Sequence, residues 1–372
     1  GINLEDIKAP ECFIIEQKLK ESLDIPVFHD DQHGTAIISL AGLLNALHLT
    51  DRDIRKTRVV VNGAGAAAIA GVELFKALGM PHKNVIMCDS NGVVYKGRKE
   101  GMNQWKSAHA VDTEYRTLEE AAENSDVLMG LSIKGAFSEK IISSMAKDPI
   151  IFAMANPDPE ITPEEVKKIR ADAIMATGRS DYPNQVNNVL GFPYIFRGAL
   201  DVRASEINDS MKIAAAHAIA LLAREDVPDE VSAAYGKSLQ YGRDYIIPAP
   251  FDPRLIVKVS AAVAKAAMDT GVAKKPIEDF DKYERDLSAR LNPTAHSLSG
   301  IYARIRQAPK RVVFAEGEEE RVIRAAISFM SSGYGQPILI GREDIVKASI
   351  KRLGLSGLDN LEIHNARLSK HN

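Results

Sequence analysis

The stretch from Thr57 to Gly79, TRVVVNGAGAAAIAGVELFKALG, decides the fold. Arg58 to Asn62 has the β-branched density of a strand buried on both faces, and it runs directly into a glycine turn and a helix of small residues. In this GxGxxA pattern Gly63 and Gly65 let the backbone turn tightly and approach a pyrophosphate, whose charge sits at the positive helix N-terminus. Ala68 takes the third position, where only a small residue lets helix and strand pack closely. From Ala66 to Leu78 the helix is apolar almost all round, Glu73 and Lys76 excepted, so it lies against a sheet until Gly79 and Pro81 stop it. A second strand, Asn84 to Cys88, ends in Asp89, roughly 20 residues past the turn, where a carboxylate accepts ribose hydroxyls. Glycine turns of this kind also serve packing alone, so the motif needs its context.

That context continues downstream. Thr117 and Glu120 form a capping box, Asp126 to Ser132 (DVLMGLS) is the next core strand, and Pro149 to Ala155 (PIIFAMA) is another. Thr162, Pro163 and Glu165 start a further helix, and Ala173 to Thr177 gives one more strand. Strands alternating with helices argue for an α/β fold with a doubly wound parallel sheet, in which ligands collect beyond the carboxyl ends of the strands. Those ends carry Gly65, Asp89, Ser132 and Asn156. Just beyond them Asn184, Gln185, Asn187 and Asn188 make an amide cluster, suited either to a substrate carboxylate or to turns.

At 372 residues the chain is long enough for two good cores. A formal charge of -3 leaves no broad basic face, which argues against nucleic acid or an anionic membrane as a partner. Cys12 and Cys88 have no paired spacing and suggest a reducing, cytoplasmic compartment. No apolar run reaches the 18 or so residues of a membrane span. The chain opens on an acidic motif without an initiator Met, so the expectation is that its true N-terminus lies upstream.

Glu5 and Asp6 stand side by side before a helix from about Pro10 to Leu23, and Asp30 and Asp31 follow a short strand, Ile25 to Phe28. A hard divalent cation, Mg²⁺ or Mn²⁺, explains two such pairs among apolar neighbours. Helix capping and a turn are the alternative, and His29 and His33 read as structural. Met211 to Ala223 and Pro253 to Met268 are helices whose alanine-rich faces pack within the domain or between subunits, and a homo-oligomer is expected. From Lys274 to Arg290 charge rises and periodicity weakens, as in a linker, before KRVVFAEGEEERVIRAAISFM (310–330) and QPILIGRE (336–343) restart an α/β pattern.

LEDIKAPECF, FHDDQHGTA, GAGAAA, DSNGVVYKGR, MANPDPEI and QVNNVLGFPYIFRG together closely resemble bacterial malic enzymes over residues 1 to about 270. VVFAEGEEERVIRAA resembles the start of a phosphate acetyltransferase-like domain, and the combination looks like the large two-part malic enzyme, whose tail serves regulation and assembly. The resemblance implies oxidative decarboxylation of L-malate to pyruvate and CO₂ with reduction of NAD(P)⁺. It places the metal on Glu5, Asp6 and Asp31 with Asp30 beside them, the malate amides on Asn156 and Asn188, and the Rossmann-type cofactor turn on Gly63, Ala64, Gly65, Ala66 and Ala67. It divides the chain into a remainder of the N-terminal, metal-bearing domain (1–50), an NAD(P)-binding domain (51–273), a linker (274–308) and the start of the acetyltransferase-like domain (309–372). The family's general acid Tyr and general base Lys lie upstream of LEDI, so no catalytic residue is assigned and little turnover is expected of this chain alone.

Asp89 favours NAD, because a carboxylate there repels a 2′-phosphate. Ser90, Lys96 and Arg98 on the following loop suit that phosphate, and NADP is the expected cofactor. Another Rossmann dehydrogenase would explain the turn but not the acidic pairs. A regulatory acyl-phosphate module would explain only the tail, and a non-catalytic nucleotide-binding scaffold is the reading expected of this chain in isolation, with the family's acid and base upstream.

Overall fold

The computed structural model describes residues 1–236, 238–291, 301, 304–352 and 361–368. The chain begins with two short strands, β1 (Ile2–Leu4) and β2 (Val27–His29), which pair in parallel with Leu4 opposite His29. Helix α1 (Glu11–Ser22) connects them. Asp30–Gly34 then winds as a single π-helical turn into α2 (Thr35–Leu49), which is buried along most of its length.

The central unit follows in alternation: β3 (Val59–Asn62), α3 (Ala66–Ala77), β4 (Val85–Asp89), β5 (Gly92–Val93), α4 (Gln104–Ser107), α5 (Leu118–Ala122), β6 (Val127–Gly130), α6 (Glu139–Ser144), β7 (Ile150–Ala153), α7 (Pro163–Ile169) and β8 (Ile174–Thr177). The sheet order is β5-β4-β3-β6-β7-β8, with every pairing parallel except the two-residue edge strand β5. This is the Rossmann-type arrangement expected, with a reversed edge. The strand order turns about β3, which has β4 on one side and β6 on the other, so the crevice between β3 and β6 is the switch point.

Alternation along the strands builds a core on each face of the sheet. Val59, Val61, Met129 and Phe152 join the core formed with α2 and α3, whereas Val60, Leu128, Ile151 and Ala153 join the other, with Ile141 of α6 and Val166 of α7. Residues before position 51 are continuous with the first of these cores through Phe28, Ile37, Leu40 and Leu43. Helices α8 (Phe192–Asp201), α9 (Asp209–Arg224) and α11 (Leu255–Asp269) complete this layer, while α10 (Asp229–Ala234) packs through Val231 in a separate small cluster with Ala223, Tyr245 and Ala249, and Gly198 lets α8 approach the backbone of α11, where a Cβ would lie 2.4 Å from the Ser260 carbonyl oxygen.

The chain forms two compact units, Gly1–Ser288 and Ala289–Asn372. The expected linker at 274–308 is corrected in its first part. Helix α12 (Phe280–Leu291) begins there, Leu287 is fully buried, and the Tyr283 hydroxyl donates to Asp201 Oδ2 at 2.8 Å. Positions 292–300 and 302–303 of that linker lie outside the described residues. In the second unit β9 (Lys310–Phe314), α13 (Glu320–Ser331), β10 (Gly335–Ile340), α14 (Glu343–Arg352) and β11 (Glu362–His364) form a parallel sheet of order β11-β10-β9 around Ile323, Ala326, Leu339 and Val346. Within the 309–372 segment, positions 353–360 and 369–372 lie outside the described residues. Among the described residues no helix is long and apolar enough to cross a membrane, and both cysteines are buried and unpaired.

Candidate functional site

The glycine turn is built by two different uses of glycine. Gly63 has φ +134° and donates its amide to the Cys88 carbonyl at 2.8 Å, and a Cβ there would lie 2.5 Å from the Leu131 carbonyl oxygen. Gly65 has an ordinary φ of -86°, so its conformation does not require glycine. A Cβ on Gly65 would instead project into open space at the mouth of the turn, where a ligand would approach. No side chain caps the N-terminus of α3, so its first amides are available to an anion. Ala64, Ala66 and Ala67 are half-buried around this opening, and Ala68 is buried against the sheet.

At the end of β4 the structure corrects the reading of Asp89 and Arg98. Arg98 is buried and aims inward: Nη2 donates to both Asp89 oxygens at 2.7 Å, and Nη1 and Nε donate to the carbonyls of Gly92, Val93 and Glu100. Lys106 Nζ donates to Asp89 Oδ2 at 2.7 Å from α4. Burial pushes the Asp89 carboxyl up, but Lys106 and Arg98 outweigh it and hold it below its ordinary value. Asp89 is therefore a neutralised carboxylate rather than a free acceptor for ribose, and Arg98 is engaged rather than free for a phosphate. Ser90 and Lys96 are exposed. Sequence reading missed Lys106 because it sits in a separate short helix, capped by Asn103, with no local motif to mark it.

The two acidic pairs lie next to one another where β1 and β2 end. The parallel pairing of β1 and β2 brings Glu5 and Asp30 out at the same end of the ribbon, and the Asp6 amide donates to Asp31 Oδ2 at 2.8 Å. Asp30 lies innermost: it is 5% exposed, its Oδ1 has no hydrogen-bond partner among the described residues, and its Oδ2 accepts from Asn188 Nδ2 at 2.5 Å. Burial, then the charges of Glu5 and Asp31, push the Asp30 carboxyl up to about 7 against the opposing bond from Asn188. Gly34 keeps the π-helical turn tight, since a Cβ there would lie 2.0 Å from Asp30 Oδ1. His33 is structural, as expected, with Nε2 on Glu16 Oε1 at 2.8 Å. His29 is fully buried with Nδ1 3.7 Å from Asp31 Oδ2.

These carboxyl groups are adjacent but do not form a finished cage. Among the described residues no three Asp, Glu, His or Cys side chains close around one point. What fits a dication is the chemistry of the set: hard oxygen donors, a buried acceptor without a partner, and a carboxyl whose ionisation its acidic neighbours oppose. No Lys or Arg side chain among the described residues pairs with Glu5, Asp6, Asp30 or Asp31.

The amide cluster divides. Asn188 belongs to the acidic centre through Asp30. Asn184 is structural: it is buried, has φ +54°, donates to the carbonyls of Met175 and Arg243, and accepts from the Ile246 amide. Asn187 caps the short 3₁₀ turn that carries Asn188. Asn156 is exposed at the end of β7, before a cis peptide to Pro157. At the switch point itself Asn62 Nδ2 donates to Ser132 Oγ at 2.9 Å, and the fully buried Glu160 accepts from Ser132, a residue the sequence reading left without a role.

The family description "Malic enzyme, NAD binding domain" matches residues 32–234, and "Phosphate acetyl/butaryl transferase" matches residues 297–372. The chain is 64% identical over its whole length to the NADP-dependent malic enzyme of Rhizobium meliloti (strain 1021), of which it covers 49%. It is 50% identical over 95% of its length to the NAD-dependent malic enzyme of the same organism, covering 46% of that protein. The chain thus spans about half the length of the curated relatives it matches. Among solved structures, the malic enzyme of Pyrococcus horikoshii Ot3 is 40% identical with a TM-score of 0.70, covering 80% of this chain and 68% of that one. The sheet topology agrees with these matches, and the chain belongs to the malic enzyme family.

Proposed function

We propose that the chain is the metal- and nucleotide-binding part of an enzyme that oxidatively decarboxylates L-malate to pyruvate and CO₂ with reduction of NADP⁺. Glu5, Asp6 and Asp31 would hold Mg²⁺ or Mn²⁺, with Asp30 beside them. The observation that carries this reading is the meeting of three distant segments at Asp30, where Glu5, Asp31 and Asn188 all act on one buried carboxyl. When bound, the dication would supply Lewis-acid polarisation of the malate 2-oxygen.

The chain's own residues orient the substrate. The bond from Nδ2 to Asp30 uses one N–H of Asn188 and fixes its plane, leaving the second N–H for a malate carboxylate. Asn156 would donate a second amide from the end of β7. Neutral amides bind carboxylates without adding charge beside the nicotinamide. The amides at the start of α3 would take the pyrophosphate at Gly63 to Ala67. NADP⁺ is favoured because Arg98 and Lys106 already neutralise Asp89, removing the charge that would repel a 2′-phosphate, and the exposed Ser90 and Lys96 flank β5.

The assignment of 1–50 to the metal-bearing region, 51–273 to nucleotide binding and the tail to an acetyltransferase-like regulatory domain belongs to the same reading. So do a cytoplasmic setting, supported by two buried free cysteines, and a homo-oligomer, supported by the exposed Leu221 on α9. Asp31→Asn tests the central assignment: Mn²⁺-dependent malate binding is lost while NADP⁺ binding is retained. A variant that binds malate as the unaltered chain does would contradict it.

A further inference from the structure

Glu160 ends the MANPDPE segment and is fully buried, although it carries a carboxyl group and its recorded partners are neutral donors. Its Oε1 accepts from the Ser132 amide at 2.8 Å and the Ser132 hydroxyl at 3.2 Å, and its Oε2 accepts from the Ala155 amide at 3.0 Å. The Ser132 hydroxyl in turn accepts from Asn62 at 2.9 Å. One carboxyl therefore ties together the carboxyl ends of β3, β6 and β7. Asn62 immediately precedes Gly63, Leu131 is the residue whose carbonyl confines Gly63, and Ala155 immediately precedes Asn156.

The space for this carboxyl is kept open by a second feature. Gly130, the last residue of β6, has an ordinary φ, yet a Cβ there would lie 2.4 Å from Glu160 Cδ. Burying a carboxyl group away from water costs free energy that hydrogen bonds must offset, and a carboxylate accepting main-chain donors is among the stronger arrangements that do so. A leucine would fill the same volume without that cost. What a leucine would not do is accept from Ser132 and Ala155 at the same time, which fixes the relative position of the two loops that follow β6 and β7.

We propose that Glu160 is a positioning residue that couples the nucleotide turn to Asn156, so that one strut sets both the Ser132 side of the cofactor crevice and the amide offered to the substrate. The assignment of Asn156 to the substrate rests on the function proposed above; the coupling itself rests on the hydrogen bonds of Glu160. Two consequences separate it from a general contribution to stability. Glu160→Gln retains one acceptor and presents an NH₂ to a main-chain donor, so it disturbs both loops while keeping volume. Ser132→Ala removes only the hydroxyl that links Glu160 to Asn62, so it disturbs the nucleotide side and leaves the Ala155 bond in place.

The test measures dissociation constants for NADP⁺ and, with Mn²⁺ present, for L-malate, alongside thermal unfolding, in the unaltered chain, Ser132→Ala and Glu160→Gln. Glu160→Gln is expected to weaken both ligands by about ten-fold, the equivalent of one lost charge-assisted hydrogen bond. Ser132→Ala is expected to weaken NADP⁺ alone. A lowered melting temperature with both affinities unchanged would make Glu160 a scaffold residue and overturn the proposal, as would an unchanged NADP⁺ affinity in Ser132→Ala. Failure of the unaltered chain to bind NADP⁺ at all would instead overturn the nucleotide assignment, and the coupling with it.

Discussion

Asn188 and Asp30, 158 positions apart in sequence, meet through a single hydrogen bond of 2.5 Å from Nδ2 to Oδ2. The bond joins the turn after the last sheet strand to the acidic turn before α2, and it brings the amide motif and the acidic motif into one centre. Replacing Asn188 by alanine leaves a buried acceptor without its donor, which costs about 1–3 kcal/mol. Asn188→Ala is therefore expected to lower stability by that amount and to weaken malate binding while NADP⁺ affinity holds. Denaturant unfolding and ligand titration on the same preparation check both halves.

The two glycines of the turn differ in what they contribute to stability. Gly63→Ala forces a side chain into the left-handed region and onto the Leu131 carbonyl, and strain of this kind costs about 1–3 kcal/mol or more. Gly65→Ala meets nothing within 4 Å and leaves the melting temperature nearly unchanged. Both variants are expected to lose NADP⁺ affinity, the first through a displaced turn and the second through a methyl group at the ligand's approach. Thermal melts and NADP⁺ titrations together separate the two causes.

Lys106 supplies a prediction that sequence inspection would not have offered. Its ammonium balances Asp89 at the proposed ribose site, so Lys106→Ala leaves Asp89 with Arg98 as its one charged partner among the described residues and raises the repulsion a 2′-phosphate would meet. NADP⁺ affinity is expected to fall about ten-fold, in keeping with one lost hydrogen bond to a charged group, and NAD⁺ affinity much less. An equal fall for both nucleotides would remove Lys106 from cofactor selection.

The pH dependence of stability has an identifiable contributor in Glu16. Burial raises its carboxyl, but the hydrogen bond to His33, a ring that burial holds down to about 4 and therefore neutral above that pH, and the Lys20 ammonium, at 2.7 Å, bring it down to about 2 from an ordinary 4.5. A carboxyl depressed in the folded chain stabilises it fully above the unfolded value, and that stabilisation is lost as pH falls from 4.5 towards 2. Glu16→Gln should flatten this acid limb of the unfolding profile. An unaltered acid slope in the variant would assign the acid sensitivity elsewhere.

The sheet and its glycine turn were legible because local pattern determines them: Val59 to Val61 are buried on both faces, Thr117 and Thr162 form the expected capping boxes, and the strand after each lies where the apolar runs place it. The acidic residues were legible as types, and their convergence depends on the parallel pairing of β1 with β2, a contact between segments more than twenty positions apart that no periodicity reveals. The inward aim of Arg98, the partnership of Lys106 with Asp89 and the buried Glu160 are tertiary events of the same kind. Asn184 illustrates the converse. It shares its residue type and neighbourhood with Asn188, yet its amide is spent on the backbone of Met175, Arg243 and Ile246, which only the folded chain decides.

The most direct measurement is L-malate binding to the unaltered chain with and without Mn²⁺, by isothermal titration. If Glu5, Asp6 and Asp31 gather a dication beside Asn188, malate binds appreciably only when the metal is present, and a chelator reverses it. Malate affinity that is the same in both conditions would contradict a metal-centred substrate site and leave the chain a nucleotide-binding fold alone.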